Sequence, residues 1–173
     1  MGTEEFSTRS PSSSADHSGA LSRRAFLDEA VTEFRKFQRY GHPFAFLILD
    51  IDGWQTLSER ASPQGGAEIL KQLATALTQM LREHDRIGRL GGDEFGILLL
   101  ETDRQAALRT AERIRQDCAA LTFYVGEQDY TLTLSIGGSL PLAEDRSFEK
   151  VFLRADQALQ RAKQNGRNCV AIE

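Results

Sequence analysis

Arg89-Leu90-Gly91-Gly92-Asp93-Glu94-Phe95-Gly96-Ile97-Leu98-Leu99-Leu100 is the stretch on which the reading of this chain turns. Two glycines and two acids separate Arg86-Ile87-Gly88-Arg89-Leu90 from an apolar run that starts at Phe95. Glycine takes positive φ at no steric cost, so Gly91 to Glu94 reads as a hairpin turn. The turn offers Asp93 and Glu94 at the edge of a rigid, buried strand. Carboxylates held in that way suit a hard cation such as Mg²⁺, and Mg²⁺ suits phosphates. The competing reading is a hairpin whose acids simply face water, since acidic turn residues are common.

Working outward, Pro43-Phe44-Ala45-Phe46-Leu47-Ile48-Leu49-Asp50-Ile51-Asp52 is apolar almost throughout and then breaks into acids. A continuous run of this kind predicts a central strand covered on both faces. Asp50 and Asp52 end it, where ligand sites gather in such sheets. With that strand beside the Phe95 hairpin, Asp50 and Asp93 would meet at one edge. Two carboxylates that close repel, and a divalent cation is the usual remedy. A cation there could bridge nucleotide phosphates and lower the pKa of an attacking hydroxyl.

The remaining pattern supplies the helices. Phe26, Leu27, Ala30, Val31, Phe34 and Phe37 follow three-and-four spacing from Leu21 onward, and Gly41 ends that helix. Gly53 to Glu59 predicts a short helix, and Ser62-Pro63-Gln64-Gly65-Gly66 a breaker before a long helix striped by Ile69, Leu70, Leu73, Leu77, Met80 and Leu81. A third helix runs from about Asp103 to Ala120 on Leu108, Ala111, Ile114 and Cys118. Tyr130 to Ile136 alternates and predicts one strand. Phe148, Val151, Phe152, Ala155, Ala158, Leu159 and Ala162 form the cleanest stripe, Gly166 closes that helix, and Cys169 to Ile172 is a short last strand. Helices alternating with a few strands give an α/β sheet covered by helices. Lys163 and Arg167, four apart near the end of the last helix, can reach one anion together.

Composition sets the bounds. A chain of 173 residues is one ordinary domain. A net charge of −4 argues against nucleic acid or an anionic membrane as the main partner. No apolar run approaches membrane-spanning length and no charged-then-apolar leader opens the chain, so a cytoplasmic location is expected. Cys118 and Cys169 read as two reduced core thiols. Residues 1–18, rich in serine, read as a flexible linker or an appended tail, with the folded domain at 19–173 and an input domain expected upstream.

Gly91-Gly92-Asp93-Glu94-Phe95 resembles the signature of the GGDEF domains, the diguanylate cyclase family of bacterial second-messenger signalling. The resemblance runs from about Asp16 to the C-terminus. Leu49-Asp50-Ile51-Asp52 fits the family's strand motif and Ser135-Ile136-Gly137 its late strand. Ala155-Asp156-Gln157-Ala158-Leu159 and Ala162-Lys163-Gln164-Asn165-Gly166-Arg167-Asn168 fit its last helix and exit. The resemblance implies a central mixed five-stranded sheet wrapped by helices, similar to nucleotide cyclase and polymerase palms. It implies joining of two GTP into cyclic di-GMP across a homodimer. By resemblance, Asp50, Asp93 and the Ile51 carbonyl would hold Mg²⁺ or Mn²⁺, and Gly91-Gly92 would form the turn over the phosphates. Asp93, with Glu94 beside it, would deprotonate the 3′-hydroxyl, and Lys163 and Arg167 would bind phosphate. Arg82-Glu83-His84-Asp85 matches the family's R-x-x-D inhibitory site for cyclic di-GMP, and Arg89 would add a phosphate contact.

Departures from the family cluster in one place. Its pattern D-x-D-x-F-K-x-x-N-D-x-x-G-H-x-x-G-D falls here on Asp50 to Ala67. The asparagine that reads guanine is Ser58 and the aspartate that reads it is Ala67; the lysine is Gln55 and the histidine Pro63. The early D-x-L-T-G-L-x-N-R motif keeps only Asp16, Leu21 and Arg24. A methyl at position 67 accepts no guanine proton, and each unpaired donor costs about 1–3 kcal/mol. Two functions are therefore expected to compete. One is a regulatory domain that binds cyclic di-GMP with weak or no cyclase activity, working with a protein partner or the input domain. The other is an active diguanylate cyclase.

Overall fold

The computed structural model describes residues 18–173; the tail through residue 17, including Asp16, lies outside them. The elements in order are α1 (Arg23–Tyr40), β1 (Phe44–Ile51), α2 (Trp54–Met80), β2 (Arg86–Gly91), β3 (Glu94–Leu100), α3 (Arg104–Ala119), β4 (Phe123–Val125), β5 (Gln128–Tyr130), β6 (Leu134–Ser139), α4 (Phe148–Gln164) and β7 (Val170–Ile172). Five strands form one mixed sheet in the order β2-β3-β1-β6-β7, antiparallel except for the β6–β7 pair. β1 is its centre, as the unbroken apolar run predicts.

Strand side chains alternate between faces, so β1 feeds two cores. Ala45, Leu47 and Leu49 meet Ile69, Leu73 and Leu77 of α2 and Ile114 of α3. Phe46 and Ile48 meet Phe26 and Phe34 of α1 and Val151 and Leu159 of α4. The helix stripes read from sequence are the buried faces, with one correction. Leu108 is 39% exposed, and Ala107 takes its place in the core. The sequence stripe was set one residue out of phase at its start.

Two further expectations are corrected. Tyr130 to Ile136 is not one strand: β5 ends at Tyr130 and pairs with β4 in a separate two-stranded hairpin, and β6 starts at Leu134. Continuous alternation concealed a change of partner. The breaker at Ser62-Pro63 is a kink within α2, not a loop. Ser62 turns the chain at φ 68, ψ 167, its Oγ accepts from Gly65 N at 3.3 Å, and Pro63 restarts the helix where no N–H is needed. Cys118 is buried, and burial pushes its thiol up to about 12. Cys169 is only half-buried, its Sγ 3.1 Å from the Ala162 carbonyl, and both cysteines are free.

The tightest packing in the molecule sets α4 on the sheet. A Cβ added at Gly137 of β6 would stand 2.1 Å from Leu159 N and 2.4 Å from Ala155 O. Helix backbone lies directly on strand backbone there, and backbone cannot rotate aside. Gly137→Ala should therefore cost about 3 kcal/mol, the upper end of overpacking, read as a lowered urea midpoint at unchanged slope. A loss below about 1 kcal/mol would show that α4 slides freely over β6. Ser62 gives the opposite expectation. Its φ and ψ lie in a region essentially reserved for glycine, where another residue costs about 1–3 kcal/mol, and glycine replaces serine as a cap at a few tenths. Ser62→Gly should stabilise the domain by about 1 kcal/mol in the same assay; a destabilised variant would mean the kink carries no strain.

Candidate functional site

Three chain segments meet at one end of the sheet. β1 delivers Asp50, which pairs across the ladder with Glu94. β2 and β3 are joined by the turn Gly92-Asp93, flanked by the Gly91–Glu94 pair, with Gly92 at φ 24. The register shifts between Arg89 and Gly91, a bulge at Leu90 that bends the strand into the turn. α4 delivers Lys163 from its last turn, and the Lys163 ammonium forms an ion pair with Asp50 Oδ2.

Asp93 hydrogen-bonds to Asp50. Burial, then that bond and the Asp50 charge, push its carboxyl from the usual 3.8 up to about 7. Burial also raises Glu94, helped by Asp50 and Asp156 and opposed by Lys163 and Arg23. Two adjacent carboxylates, with an ammonium against one of them, concentrate negative charge at this strand end. Among the described residues no group of three or more His, Cys, Asp or Glu side chains could hold a metal ion. Mg²⁺ takes one or two carboxylates plus substrate phosphates rather than a full protein cage, and Asp50 and Asp93 are the two carboxylates that could serve it here. Ile51, the last residue of β1, stands next to Asp50 and carries the third candidate ligand as a carbonyl.

Arg89 is engaged at this turn rather than at the R-x-x-D motif. Its Nη2 donates to Gly92 O at 2.5 Å, its guanidinium lies 5.2 Å from the Phe95 ring centre, and its buried Nε has no partner. Arg23 braces the same turn, Nη1 donating to Leu90 O at 2.6 Å. Arg167 also differs from its helical reading. α4 ends at Gln164, and a Schellman motif follows: Gly166 at φ 106 donates to Lys163 O and Arg167 N donates to Ala162 O at 3.1 Å. Lys163 and Arg167 thus sit at one helix end without being helix neighbours.

Arg82 and Asp85 are brought together as a closed latch beside a cavity of about 290 Å³. Asp85 Oδ2 accepts from Arg82 N and Nε, both at 3.1 Å, and Oδ1 accepts from Leu100 N at 3.2 Å. Arg82 Nη2 donates to Leu100 O and Thr102 Oγ1, both at 3.0 Å. The Asp85 side chain is 2% exposed and that of Arg82 53%.

In the stretch that departs from the family pattern, Ser58 Oγ donates to Gln55 O at 3.0 Å within its own helix turn, and Ala67 is exposed. The Trp54 indole lies against Gly66, about 3.5 Å from where a Cβ would stand. Trp54 was not among the candidate residues read from sequence, and Asp52 was read only as a strand-end acid beside Asp50. Asp52 proves to accept three hydrogen bonds, from Thr133 Oγ1, Ser135 Oγ and Asn168 N. The strand-end acid was the available signal.

The family model for the diguanylate cyclase GGDEF domain matches residues 16–169. The chain belongs to the GGDEF family. Diguanylate cyclase DosC of Escherichia coli strain K12 is 34% identical over 153 residues, 88% of this chain and 33% of that protein. Diguanylate cyclase DgcP of Pseudomonas aeruginosa is 34% identical over 154 residues, 89% of this chain and 23% of that one. The GGDEF domain thus spans a third or less of these two relatives. Among solved structures, the active GGEEF domain of a Vibrio cholerae diguanylate cyclase is 32% identical, with a TM-score of 0.81 over 87% of this chain and 96% of that one. The GGDEF domain of DgcB from Caulobacter crescentus, solved in complex with c-di-GMP, shares the fold at a TM-score of 0.86 and 23% identity, over 95% and 98%. The mixed five-stranded sheet and its helices are therefore the cyclase palm-like GGDEF fold.

The raised Asp93 carboxyl gives a pH dependence in chelator. A carboxyl whose folded pKa exceeds its unfolded one stabilises fully below the unfolded value and loses that contribution as pH climbs through the folded one. The urea midpoint of the metal-free GGDEF domain should fall between about pH 5 and about pH 8, and Asp93→Asn should flatten that fall. A midpoint that rises over this window, or a slope unchanged in Asp93→Asn, would contradict the paired-carboxylate geometry.

Proposed function

We propose that this GGDEF domain serves cyclic di-GMP signalling as a regulatory module, binding cyclic di-GMP at Arg82 and Asp85, with weak or no diguanylate cyclase activity. The observation that carries the reading is the base pocket. The Ser58 hydroxyl donates its proton to Gln55 O and is shorter than an asparagine amide, and Ala67 offers only a methyl. A guanine there loses the carboxylate acceptor at position 67 and the reach of an amide at position 58; each N–H left unpaired costs about 1–3 kcal/mol, or two to four decades of affinity if two losses add. Asp50, Asp93 and Ile51 would hold Mg²⁺ or Mn²⁺, which would supply Lewis-acid chemistry toward phosphates and an attacking hydroxyl. Lys163, freed from Asp50, and Arg167 would hold the triphosphate of GTP. Guanine would stay loose, and misplacement of about 1 Å can cost about a hundredfold in rate.

Catalysis in this family also needs a homodimer, so an upstream input domain or protein partner would act on assembly. SiaD of Pseudomonas aeruginosa, 30% identical to this chain and solved with its activator SiaC, illustrates such a partner. No described helix is long and apolar enough to cross a membrane; a cytoplasmic location is part of the proposal. A second reading, a working cyclase, is favoured by one observation: the Asp50, Asp93 and Lys163 cluster is complete.

Chromatography of the dimerised protein with Mg²⁺ and GTP decides between them. Little or no cyclic di-GMP is expected, and Ser58→Asn with Ala67→Asp should raise GTP affinity; adding Gln55→Lys is expected to restore turnover. Family-typical product from the unmodified protein would reject the regulatory reading. For the inhibitory site, Arg82→Ala is the probe, read beside its urea midpoint, because Arg82 also holds Leu100 O and Thr102 Oγ1 as Asp85 holds Leu100 N. Calorimetric affinity for cyclic di-GMP should drop about tenfold or more in Arg82→Ala, in line with loss of charged hydrogen bonds. An unchanged affinity would put the ligand elsewhere.

A further inference from the structure

Asp52 stands just beyond β1, two residues after Asp50, yet its carboxylate is occupied by protein. Oδ2 accepts from Thr133 Oγ1 at 2.7 Å and from Asn168 N at 2.9 Å, and Oδ1 accepts from Ser135 Oγ at 2.6 Å. Its own N–H donates to Thr133 O at 2.9 Å. Those bonds join the end of β1, the start of β6 and the exit from α4. A carboxylate with both oxygens so committed is not poised to coordinate a cation.

The exit from α4 is the strained part. Gly166, Arg167 and Asn168 lie at φ 106, 64 and 44. Two successive non-glycine residues at positive φ persist only where the surroundings hold them. Two contacts do so here: the Asn168 N–H on Asp52, and the Asn168 Oδ1 that accepts from Arg115 Nη1 at 2.9 Å. The N–H groups of Gly166 and Arg167 are taken by helix carbonyls, and the next one, that of Asn168, is the one given to the Asp52 carboxylate.

We infer that Asp52 is a positioning residue for phosphate binding: it locks the strained Arg167-Asn168 turn and so sets the backbone from which the Arg167 side chain leaves. The inference rests on the reading of Arg167 as a phosphate-binding residue. It assigns the two acids of Asp50-Ile51-Asp52 separate tasks, one toward the ion and the other toward the loop that carries Arg167. A loop already held binds without first being ordered, which favours affinity for a multiply charged phosphate chain.

The test is calorimetry of the full chain with inorganic triphosphate and Mg²⁺, which removes the base from the comparison. Asp52→Asn, in which an amide replaces the carboxylate, and Arg167→Ala should each weaken binding about tenfold, and the double variant should be no weaker than Arg167→Ala alone. Mn²⁺ binding without phosphate should be unchanged in Asp52→Asn, since Asp50 and Asp93 remain. Additive losses in the double variant, or wild-type affinity in Asp52→Asn, would overturn the inference while leaving Arg167 in its role. Wild-type affinity in Arg167→Ala would remove the phosphate-binding reading and the inference with it. Should Asp52→Asn fail to fold, Thr133→Val frees the same oxygen without altering β1. It should weaken triphosphate binding by about twofold or more, again only while Arg167 is present, and an unchanged affinity there would overturn the inference.

Discussion

The contact of α4 with β6 at Gly137 is the constraint on which the rest of the structure depends. Ala155 O and Leu159 N lie where a side chain would otherwise stand, so the helix is registered by backbone on backbone rather than by adaptable side chains. One turn beyond Leu159, that register sets Lys163 against Asp50, and the Schellman turn then carries the chain through Arg167 and Asn168 back to Asp52. A shift of α4 by a fraction of a turn would separate the cation from the carboxylates. The interdigitated core of Phe46, Phe148 and Phe152 on the same side reinforces the position, with ring centres 5.1–6.4 Å apart.

Much of this was legible in the chain because it rests on periodicity and turn chemistry. The unbroken run from Phe44 to Leu49 announced a central strand, and Gly91-Gly92 announced the turn that brings Asp93 to Asp50. What stayed hidden depends on partners remote in sequence. Tyr130 and Leu134 alternate as one strand would, but pair with different neighbours. Asp52 is indistinguishable from Asp50 by type and position, and only the approach of Thr133, Ser135 and Asn168 gives it a different task. Arg167 is spaced as a helical neighbour of Lys163, and Gly166 ends the helix between them.

Electrostatics divides the domain into a complete half and an incomplete one. The end proposed for phosphate has its acids, its lysine and two arginines bracing the turn, Arg23 on Leu90 and Arg89 on Gly92. The base end has a serine bonded to its own helix, an exposed alanine and a tryptophan packed on Gly66. Between them runs the strained kink at Ser62, where the family pattern places glycine. Such a division favours binding driven by charge and metal, with little said about which base follows.

The relative affinity of GTP and ATP, each measured calorimetrically with Mg²⁺ on the same protein, tests that claim most directly. Both share the triphosphate and the ribose, so their difference isolates the base. The two should bind within about threefold of each other, a difference below about 1 kcal/mol. A preference for GTP of about a hundredfold or more, nearly 3 kcal/mol, would show that guanine is read and that the pocket is intact by another route.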